Sequence, residues 1–180
     1  MIRLVEPSVS CFEQIKPGLM EIKRNQTPYD IHAVERLLEY MDKDFEGYMD
    51  YLERCRSPKQ PEGRVPSTTL LLYDDNRFIG VYGIRHYLNE HLKVQGGHIA
   101  YQIIPSERQK GYVKAGLKLV LGWCRKNLNL TEVLLFCNAK NIASDRAMTS
   151  VMEEVGGRRE PDHIVDGVLE RGVWIKTPDL

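Results

Sequence analysis

The segment 103–116 contains the residue types that a phosphate-binding turn needs, in the right order. An apolar, strand-like stretch ends at Pro105, a polar loop with Gly111 follows, and an amphipathic helical pattern begins directly after it. The first N–H groups of a helix have no acceptor within the helix and carry a partial positive charge, so they attract phosphate. Gly111 has no side chain that would keep a ligand away from the backbone. These features predict a phosphate-binding turn at the start of this helix.

The charges around this turn also favour an anionic ligand. The whole chain of 180 residues has 25 basic and 25 acidic residues, so its net charge is zero. The stretch 107–126, by contrast, has one acid, Glu107, and six basic residues. The six are Arg108, Lys110, Lys114, Lys118, Arg125 and Lys126. We therefore expect a local basic site on a neutral protein, and no general binding to nucleic acid or to a membrane surface.

Two common phosphate-binding motifs can be compared with this segment. Gly111 and Gly116 have the outer spacing of a Walker A loop, but Leu117 and Lys118 stand where Lys and then Ser or Thr are required. No GxGxxG run follows a strand, so a dinucleotide-binding fold has no support. An NTPase-like enzyme stays as an alternative that rests on the two glycines alone, and an RNA-binding protein is a weaker one.

The elements that must position the turn follow from the periodicity of apolar residues. Strand-like runs alternate with helical patterns from residue 66 onward, and turn residues separate the first two strands. The predicted strands are 68–73, 78–85, 98–104, 132–137 and one or two more within 164–176, and the predicted helices are 113–128 and 141–155. A hairpin followed by alternating strands and helices predicts an α/β fold with a mixed sheet.

The first third of the chain is predicted to be mostly helical. Its predicted elements are a strand at 2–5, helices near 11–22, 31–41 and 45–54, and an exposed loop at 57–63. Asp30 has the residue type and the position of an N-cap for the helix that begins near Ile31. The length is that of one domain. We divide the domain into a helical part at 1–65, a core at 66–160 and C-terminal strands at 161–180.

The run Arg108-Gln109-Lys110-Gly111-Tyr112-Val113 resembles the Arg/Gln-x-x-Gly-x-Gly/Ala loop of the GNAT acetyltransferase family. Its surroundings are similar to the family's central strand, pyrophosphate loop and helix, and the run LTEVLLFCNAKNIASDRAM is similar to the next strand and helix. The stretch before the loop also resembles a bacterial subgroup of uncharacterised members. The resemblance covers about residues 66–160. It implies the GNAT fold, in which helices flank a central, mostly antiparallel sheet.

The resemblance also implies an activity and a donor site. Acetyl-CoA would be the co-substrate, and a primary amine of a small molecule or peptide would attack its thioester directly. Backbone groups near the end of the central strand and at the turn would hold the pantetheine and the pyrophosphate, and the helical first third would form one wall of the acceptor groove. The implied donor-binding residues are Ile103, Ile104, Arg108, Gln109, Lys110, Gly111, Tyr112, Val113, Lys114, Asn141 and Ser144.

Two positions depart from the family pattern. Val113 stands where Gly or Ala is usual, which adds bulk beside the pyrophosphate but leaves the backbone N–H groups in place. Many members carry a tyrosine as general acid about two turns into the helix after Asn141, and this chain has none at 147–149. The general acid is therefore unassigned. This absence motivates an alternative function, a catalytically weak protein that binds or senses acyl-CoA.

Four residues are candidates for the chemistry and for the acceptor. His98 opens the central strand, where the family often has a catalytic Glu or His, and its imidazole could accept the amine proton. Tyr101 lies on the same strand and is a second candidate for proton transfer. Arg85 and His86 end the preceding strand and could bind an acidic group of the acceptor. Cys137 is better explained as a small buried apolar residue than as a nucleophile.

The cysteines and the apolar runs bound the remaining possibilities. The four cysteines are widely scattered, without a CxxC pair or a Cys/His cluster, so we expect neither a metal site nor a disulfide framework. No apolar run approaches the length of a membrane span, and the first residues lack the apolar core of a secretory signal. We expect a cytoplasmic protein. The edge strands and the C-terminal strands leave a homodimer open.

Overall fold

In a computed structural model that describes residues 1–179, the chain folds into seven strands and five α-helices. Along the chain these are β1 (Ile2–Val5), α1 (Phe12–Arg24), α2 (His32–Met41), α3 (Phe45–Arg56), β2 (Ser67–Asp74), β3 (Arg77–Arg85), β4 (Ile99–Ile103), α4 (Tyr112–Leu128), β5 (Glu132–Asn138), α5 (Ile142–Val155), β6 (Gly157–Val165) and β7 (Val168–Lys176). The predicted α/β class, with antiparallel strands flanked by helices, is confirmed. No helix in the described part of the chain is long and apolar enough to cross a membrane.

The strands form two sheets, and the strands β4 and β5 of the two sheets touch at one end and diverge from there. One sheet has the order β1-β2-β3-β4 and the other has the order β5-β7-β6, and all pairs within them are antiparallel. The sheets touch at an isolated bridge between Gly97 and Leu135 and through a hydrogen bond from the His98 N–H to the Leu134 carbonyl. Beyond this point β4 has no neighbouring strand on that side among residues 1–179. The result is an open strand edge in the middle of the molecule.

Apolar residues bury themselves on both faces of the four-stranded sheet. On one face, α4 presents Leu117, Val120, Leu121 and Cys124, which are almost completely buried in a core shared with both sheets. On the other face, α1, α2 and α3 form a second core against β2 and β3. The predicted apolar face of the helix after the turn is therefore the face that packs. This packing fixes the start of α4 beside the open edge of β4.

The structure differs from the sequence prediction at two ends of elements. Helix α2 begins one residue later than expected, and its N-cap is Ile31, which makes no side-chain capping bond. The Asp30 carboxylate instead bonds to Thr27 and Gln102, so the predicted cap is wrong. Strand β6 begins directly after α5 at Gly157, well before the predicted start at 164. It forms because it pairs with β7, not because its sequence has an alternating pattern.

Two glycines of α4 provide a matched test of how tightly this helix lies against the sheet. A Cβ at Gly116 would overlap the Tyr82 ring, with Cζ 2.8 Å away, whereas a Cβ at Gly122 meets nothing within 4 Å. We expect Gly116→Ala to destabilise the fold by about 1–3 kcal/mol through overpacking. Gly122→Ala is expected to stabilise it by about 0.5–1 kcal/mol, because alanine favours helix. Chemical denaturation measures both, and equal effects would contradict the close packing.

Candidate active site

A cavity of about 430 Å³ lies at the open edge of β4. Its walls come from the second half of β4, the loop 107–111, the first turn of α4, the start of α5 and the loop between α1 and α2. The predicted phosphate turn and the predicted helix start at Asn141 therefore lie on one cavity. Of the implied donor residues, those that line it are Ile103, Arg108, Gln109, Gly111, Tyr112, Val113, Lys114, Asn141 and Ser144.

The turn before α4 has the backbone that an anion site requires. Gly111 is the N-cap and has a φ of 85°, and Gln109 has a φ of 62°, both in the left-handed region. The first helical bond runs from the Ala115 N–H to the Gly111 carbonyl at 3.1 Å, so the preceding N–H groups lie before the hydrogen-bonded part of the helix. A Cβ at Gly111 would meet nothing within 4 Å, so this turn is open to a ligand.

Several basic residues near the turn form ion pairs with acidic residues, which reduces the net positive charge that the sequence indicates there. Buried Glu107 accepts hydrogen bonds from Arg77 at 3.2 Å and from Lys110 at 3.1 Å. Glu154, on α5, forms ion pairs with Lys114 at 2.6 Å and with Lys118. Glu154 lies outside the stretch that was counted from the sequence. The field at the turn is therefore weaker than six basic residues and one acid would produce.

The open edge of β4 supplies backbone groups to the cavity. The Ile104 N–H bonds to Ile79 of β3, and the Arg85 N–H of β3 bonds to the His98 carbonyl. Because such bonds alternate along a strand, Tyr101 and Ile103 direct their N–H and C=O groups to the open side. The Ile103 carbonyl accepts a bond from the Arg108 Nε at 3.2 Å. Ile104 does not line the cavity, because its N–H serves β3 and its carbonyl accepts the Glu107 N–H.

Tyr101 and the start of α5 meet across this cavity. The Tyr101 hydroxyl lies 2.8 Å from Ser144 Oγ, and the Asn141 side chain caps α5 by accepting the Ser144 N–H at 3.3 Å. Burial raises the pKa of Tyr101 well above its usual value, although the bond to Ser144 opposes the shift. The hydroxyl is therefore protonated at neutral pH and can donate. Ala147, in the stretch 147–149 that lacks the tyrosine expected from the resemblance, lines the same cavity.

His98 lies at the junction of the two sheets and not on the cavity. Its side chain is 4% exposed, and its Nδ1 accepts the Leu134 N–H at 3.0 Å. Burial, with a contribution from nearby Arg85, lowers its pKa to about 4. The imidazole is therefore neutral at pH 7, and its Nδ1 is already used in the hydrogen bond that joins β4 to β5. The proton-accepting role of His98 stays a prediction, and its geometry favours a role in holding the two sheets together.

This environment makes the stability of the fold depend on pH. The pKa of His98 is about 4 in the folded protein and 6.5 in the unfolded chain. Its contribution is therefore complete above pH 6.5 and declines as the pH falls toward 4. We expect the free energy of unfolding to drop by about 2 kcal/mol between pH 7.5 and 5.0 from this residue. His98→Asn keeps an acceptor for the Leu134 N–H but cannot titrate. Denaturation curves at the two pH values give this drop for each protein, and the drop in His98→Asn should be smaller by that amount. Equal drops in the two proteins would contradict the assignment.

The predicted acceptor residues, Arg85 and His86, point to different surroundings. Arg85 lines a second cavity, of about 330 Å³, between β2, β3 and the start of α2, and its Nη1 donates to the Gly96 and Gly97 carbonyls at 3.1 Å each. It forms no ion pair within residues 1–179. His86 does not line this cavity, and its Nε2 lies 2.9 Å from Thr68 Oγ1.

Cys137 has the environment of a packed residue. Its side chain is buried, and burial raises the pKa of its thiol to about 11, so the thiol is protonated at neutral pH. This supports the interpretation that Cys137 is not a nucleophile. Within residues 1–179, no three His, Cys, Asp or Glu side chains are grouped to hold a metal ion.

Sequence reasoning missed the contribution of the loop between α1 and α2. Thr27, Tyr29 and Asp30 line the cavity at the open edge of β4, and buried Gln102 connects this loop to β4. The Gln102 Oε1 accepts the Ile31 N–H at 3.0 Å, and its Nε2 donates to Asp30 Oδ1 at 2.9 Å. The polar break around Pro28 was visible in the sequence. Its partner lies some 70 residues away, so no local pattern could pair them.

Comparisons with known proteins agree with this geometry. The profile of the acetyltransferase (GNAT) domain matches residues 21–151. An uncharacterised N-acetyltransferase of Bacillus subtilis, YnaD, is 30% identical over 146 residues, which cover 78% of this chain and 76% of that protein.

Solved structures share the fold at low sequence identity. Mycobacterium smegmatis RimJ, in complex with a CoA disulfide, has a TM-score of 0.68 at 17% identity and covers 97% of this chain and 81% of its own. Spermidine N-acetyltransferase from Vibrio cholerae, in complex with CoA and spermine, has a TM-score of 0.58 at 16% identity and covers 98% and 95%. The motif, the open edge of β4 and these matches lead to one conclusion: the chain belongs to the GNAT acetyltransferase family.

Proposed function

We propose that this protein is a cytoplasmic N-acetyltransferase that moves an acetyl group from acetyl-CoA to a primary amine. One observation carries the proposal: a single cavity contains both the open turn at Gly111 and the unpaired edge of β4. The turn suits a pyrophosphate, and the strand edge suits an extended arm with amide groups, which would bond to it as a neighbouring strand does. Relatives with CoA bound in the same fold support this donor.

In this proposal each group of the cavity has a defined task. The N–H groups at the start of α4 bind the pyrophosphate, and Tyr101 and Ile103 orient the pantetheine through their backbone. Bound acetyl-CoA supplies an acyl thioester as the group donor. The amine nitrogen forms a bond to the acyl carbon, the carbon–sulfur bond breaks, and the amine loses two protons if it enters as ammonium. Tyr101 gives the leaving thiolate one proton and regains one from solvent, which takes up the two protons of the amine, so that one net proton is released.

Arg85 serves the acceptor in this proposal. Its charge is largely removed from solvent and has no carboxylate partner among the described residues, which favours an anionic group in the second cavity. The acceptor is a small molecule or a peptide. The spermidine N-acetyltransferase that shares the fold acts on a small amine, which supports the first of these classes. His86 belongs to the same proposed acceptor region as Arg85, and its hydrogen bond to Thr68 holds the end of β3 in place.

Calorimetric titration with acetyl-CoA, with ATP and magnesium as the control, tests the donor site. Saturable binding of acetyl-CoA alone is expected, and binding of ATP alone would favour the NTPase alternative instead. Release of free CoA in the presence of primary amines then tests transfer. Tight binding of acetyl-CoA with no release across a broad amine panel would favour the acyl-CoA-sensing alternative, which the absence of tyrosine at 147–149 motivates.

A further inference from the structure

The carboxylate of Asp30 accepts hydrogen bonds on one oxygen and has no partner on the other among the described residues. Oδ1 accepts bonds from the Thr27 N–H at 3.3 Å, the Thr27 hydroxyl at 2.9 Å and the Gln102 Nε2 at 2.9 Å. Oδ2 is buried and has no hydrogen-bond partner among the described residues. The two oxygens of one group thus have opposite environments. Three donors bond to Oδ1, and Oδ2 is left unsatisfied.

An unsatisfied buried carboxylate oxygen is costly, so its persistence calls for a partner. Removing a charged group from water without a compensating bond destabilises a protein strongly. The cations that line the same cavity are Arg108, Lys114 and Arg146, and none forms an ion pair with Asp30 within residues 1–179. Among residues 1–179 nothing satisfies this oxygen, so a water or a ligand donor must do so. A positively charged donor satisfies both the lone pairs and the charge.

We propose that Asp30 Oδ2 binds the ammonium group of the acceptor before transfer. This inference rests on the proposed function and adds the acceptor's contact to it. Asp30 lines the same cavity as Tyr101 and Gln102, at the open edge of β4 where the thioester is expected. Oδ2 is closed to solvent in this structure, so contact with the amine requires the Asp30 side chain to turn or its loop to shift toward the cavity that Asp30 lines. The site selects amines that are protonated in solution over neutral nucleophiles such as alcohols.

Calorimetry on the protein saturated with CoA tests this site. The probes are spermidine, a hexapeptide with a free alanine at its N-terminus, and the same peptide acetylated at that nitrogen. Asp30→Asn is the main variant, because its amide oxygen can still accept the bonds from Thr27 and Gln102 while the charge is lost. Asp50→Asn is the matched control, since Asp50 is exposed on α3 and lines neither cavity.

The expected result is saturable binding of a free amine to the unmodified protein and none of the acetylated peptide. Affinity for that amine should fall at least tenfold in Asp30→Asn (about 1.4 kcal/mol) and stay unchanged in Asp50→Asn, with acetyl-CoA affinity equal in all three proteins. Equal amine affinity in Asp30→Asn, or no binding of either amine to the unmodified protein, would overturn the Asp30 site alone. If the unmodified protein does not bind acetyl-CoA, both the proposed function and this site are overturned.

Discussion

Gly111→Glu is expected to abolish acetyl-CoA binding while the protein stays folded, with an affinity at least ~100-fold lower, or about 2.7 kcal/mol. The new side chain would stand at the N-cap of α4, where the pyrophosphate is expected, and would add a negative charge beside phosphate. A Cβ at this position touches no other atom within 4 Å, so the substitution causes no internal clash. Calorimetric titration with acetyl-CoA measures the loss, and circular dichroism confirms the fold.

The matched control for this variant is Gly167→Glu. Gly167 lies in the turn between β6 and β7, has a φ of 77° against 85° for Gly111, and likewise has nothing within 4 Å of a Cβ. Both substitutions therefore impose the same left-handed backbone on a non-glycine residue, at a cost of about 1–2 kcal/mol in stability. Acetyl-CoA affinity should change only in Gly111→Glu. Normal binding by that variant would mean that the pyrophosphate lies elsewhere.

Tyr101→Phe is expected to lower kcat by about 100-fold while acetyl-CoA affinity stays within about twofold. Removal of a positioned general acid typically costs this much or more. The phenyl ring keeps the packing of Tyr101 against Tyr82, whose ring centroid is 5.8 Å away, so the cavity should keep its shape. Release of free CoA, with an acceptor identified by the panel of primary amines, measures kcat, and calorimetry measures the affinity. A smaller deficit at alkaline pH would also be expected, because a thiolate needs no proton to leave there.

Tyr73→Phe separates this effect from the general loss of a hydroxyl. The Tyr73 hydroxyl is buried in the core between the sheet and α1–α3, on the opposite face from α4, and has no hydrogen-bond partner in the described part of the chain. Its removal should leave kcat unchanged and the fold at least as stable. If Tyr101→Phe and Tyr73→Phe have the same kcat, Tyr101 is not the general acid, and water or another group protonates the thiolate.

Helices and strands with strong periodicity could be predicted from the sequence, and an element made by pairing alone could not. The face of α4 with Leu117, Val120 and Leu121 is buried as its spacing predicts. Strand β6 is polar throughout its first half, and its residues were not predicted to pair with β7. Arg158, for example, bonds to Glu132 and lies 4.9 Å from the Trp174 ring. Such contacts depend on partners far along the chain, so a local pattern cannot reveal them.

The residues of the candidate site also differ in whether a local sequence pattern could predict them. The turn at Gly111 is contiguous, so its glycine, its helix and its preceding strand could be interpreted together. Asp30 was predicted as a helix cap because a local rule assigns that role to its residue type. Its carboxylate instead bonds to Gln102, 72 residues away. The turn at Gly111 was therefore predictable from the chain, whereas the contribution of Asp30 to the same cavity needed the fold.

The ion pairs beside the turn affect how acetyl-CoA binding responds to ionic strength. Lys110 is held by Glu107, and Lys114 and Lys118 are held by Glu154. A diphosphate that recruits these lysines exchanges one anionic partner for another, and dissolved salt screens the old pairs as well as the new ones. Donor affinity should therefore fall only gently as salt is added. The N–H groups at the start of α4 carry no mobile counter-ions. They would keep the phosphates bound at salt concentrations at which a site made of unpaired lysines would already lose them.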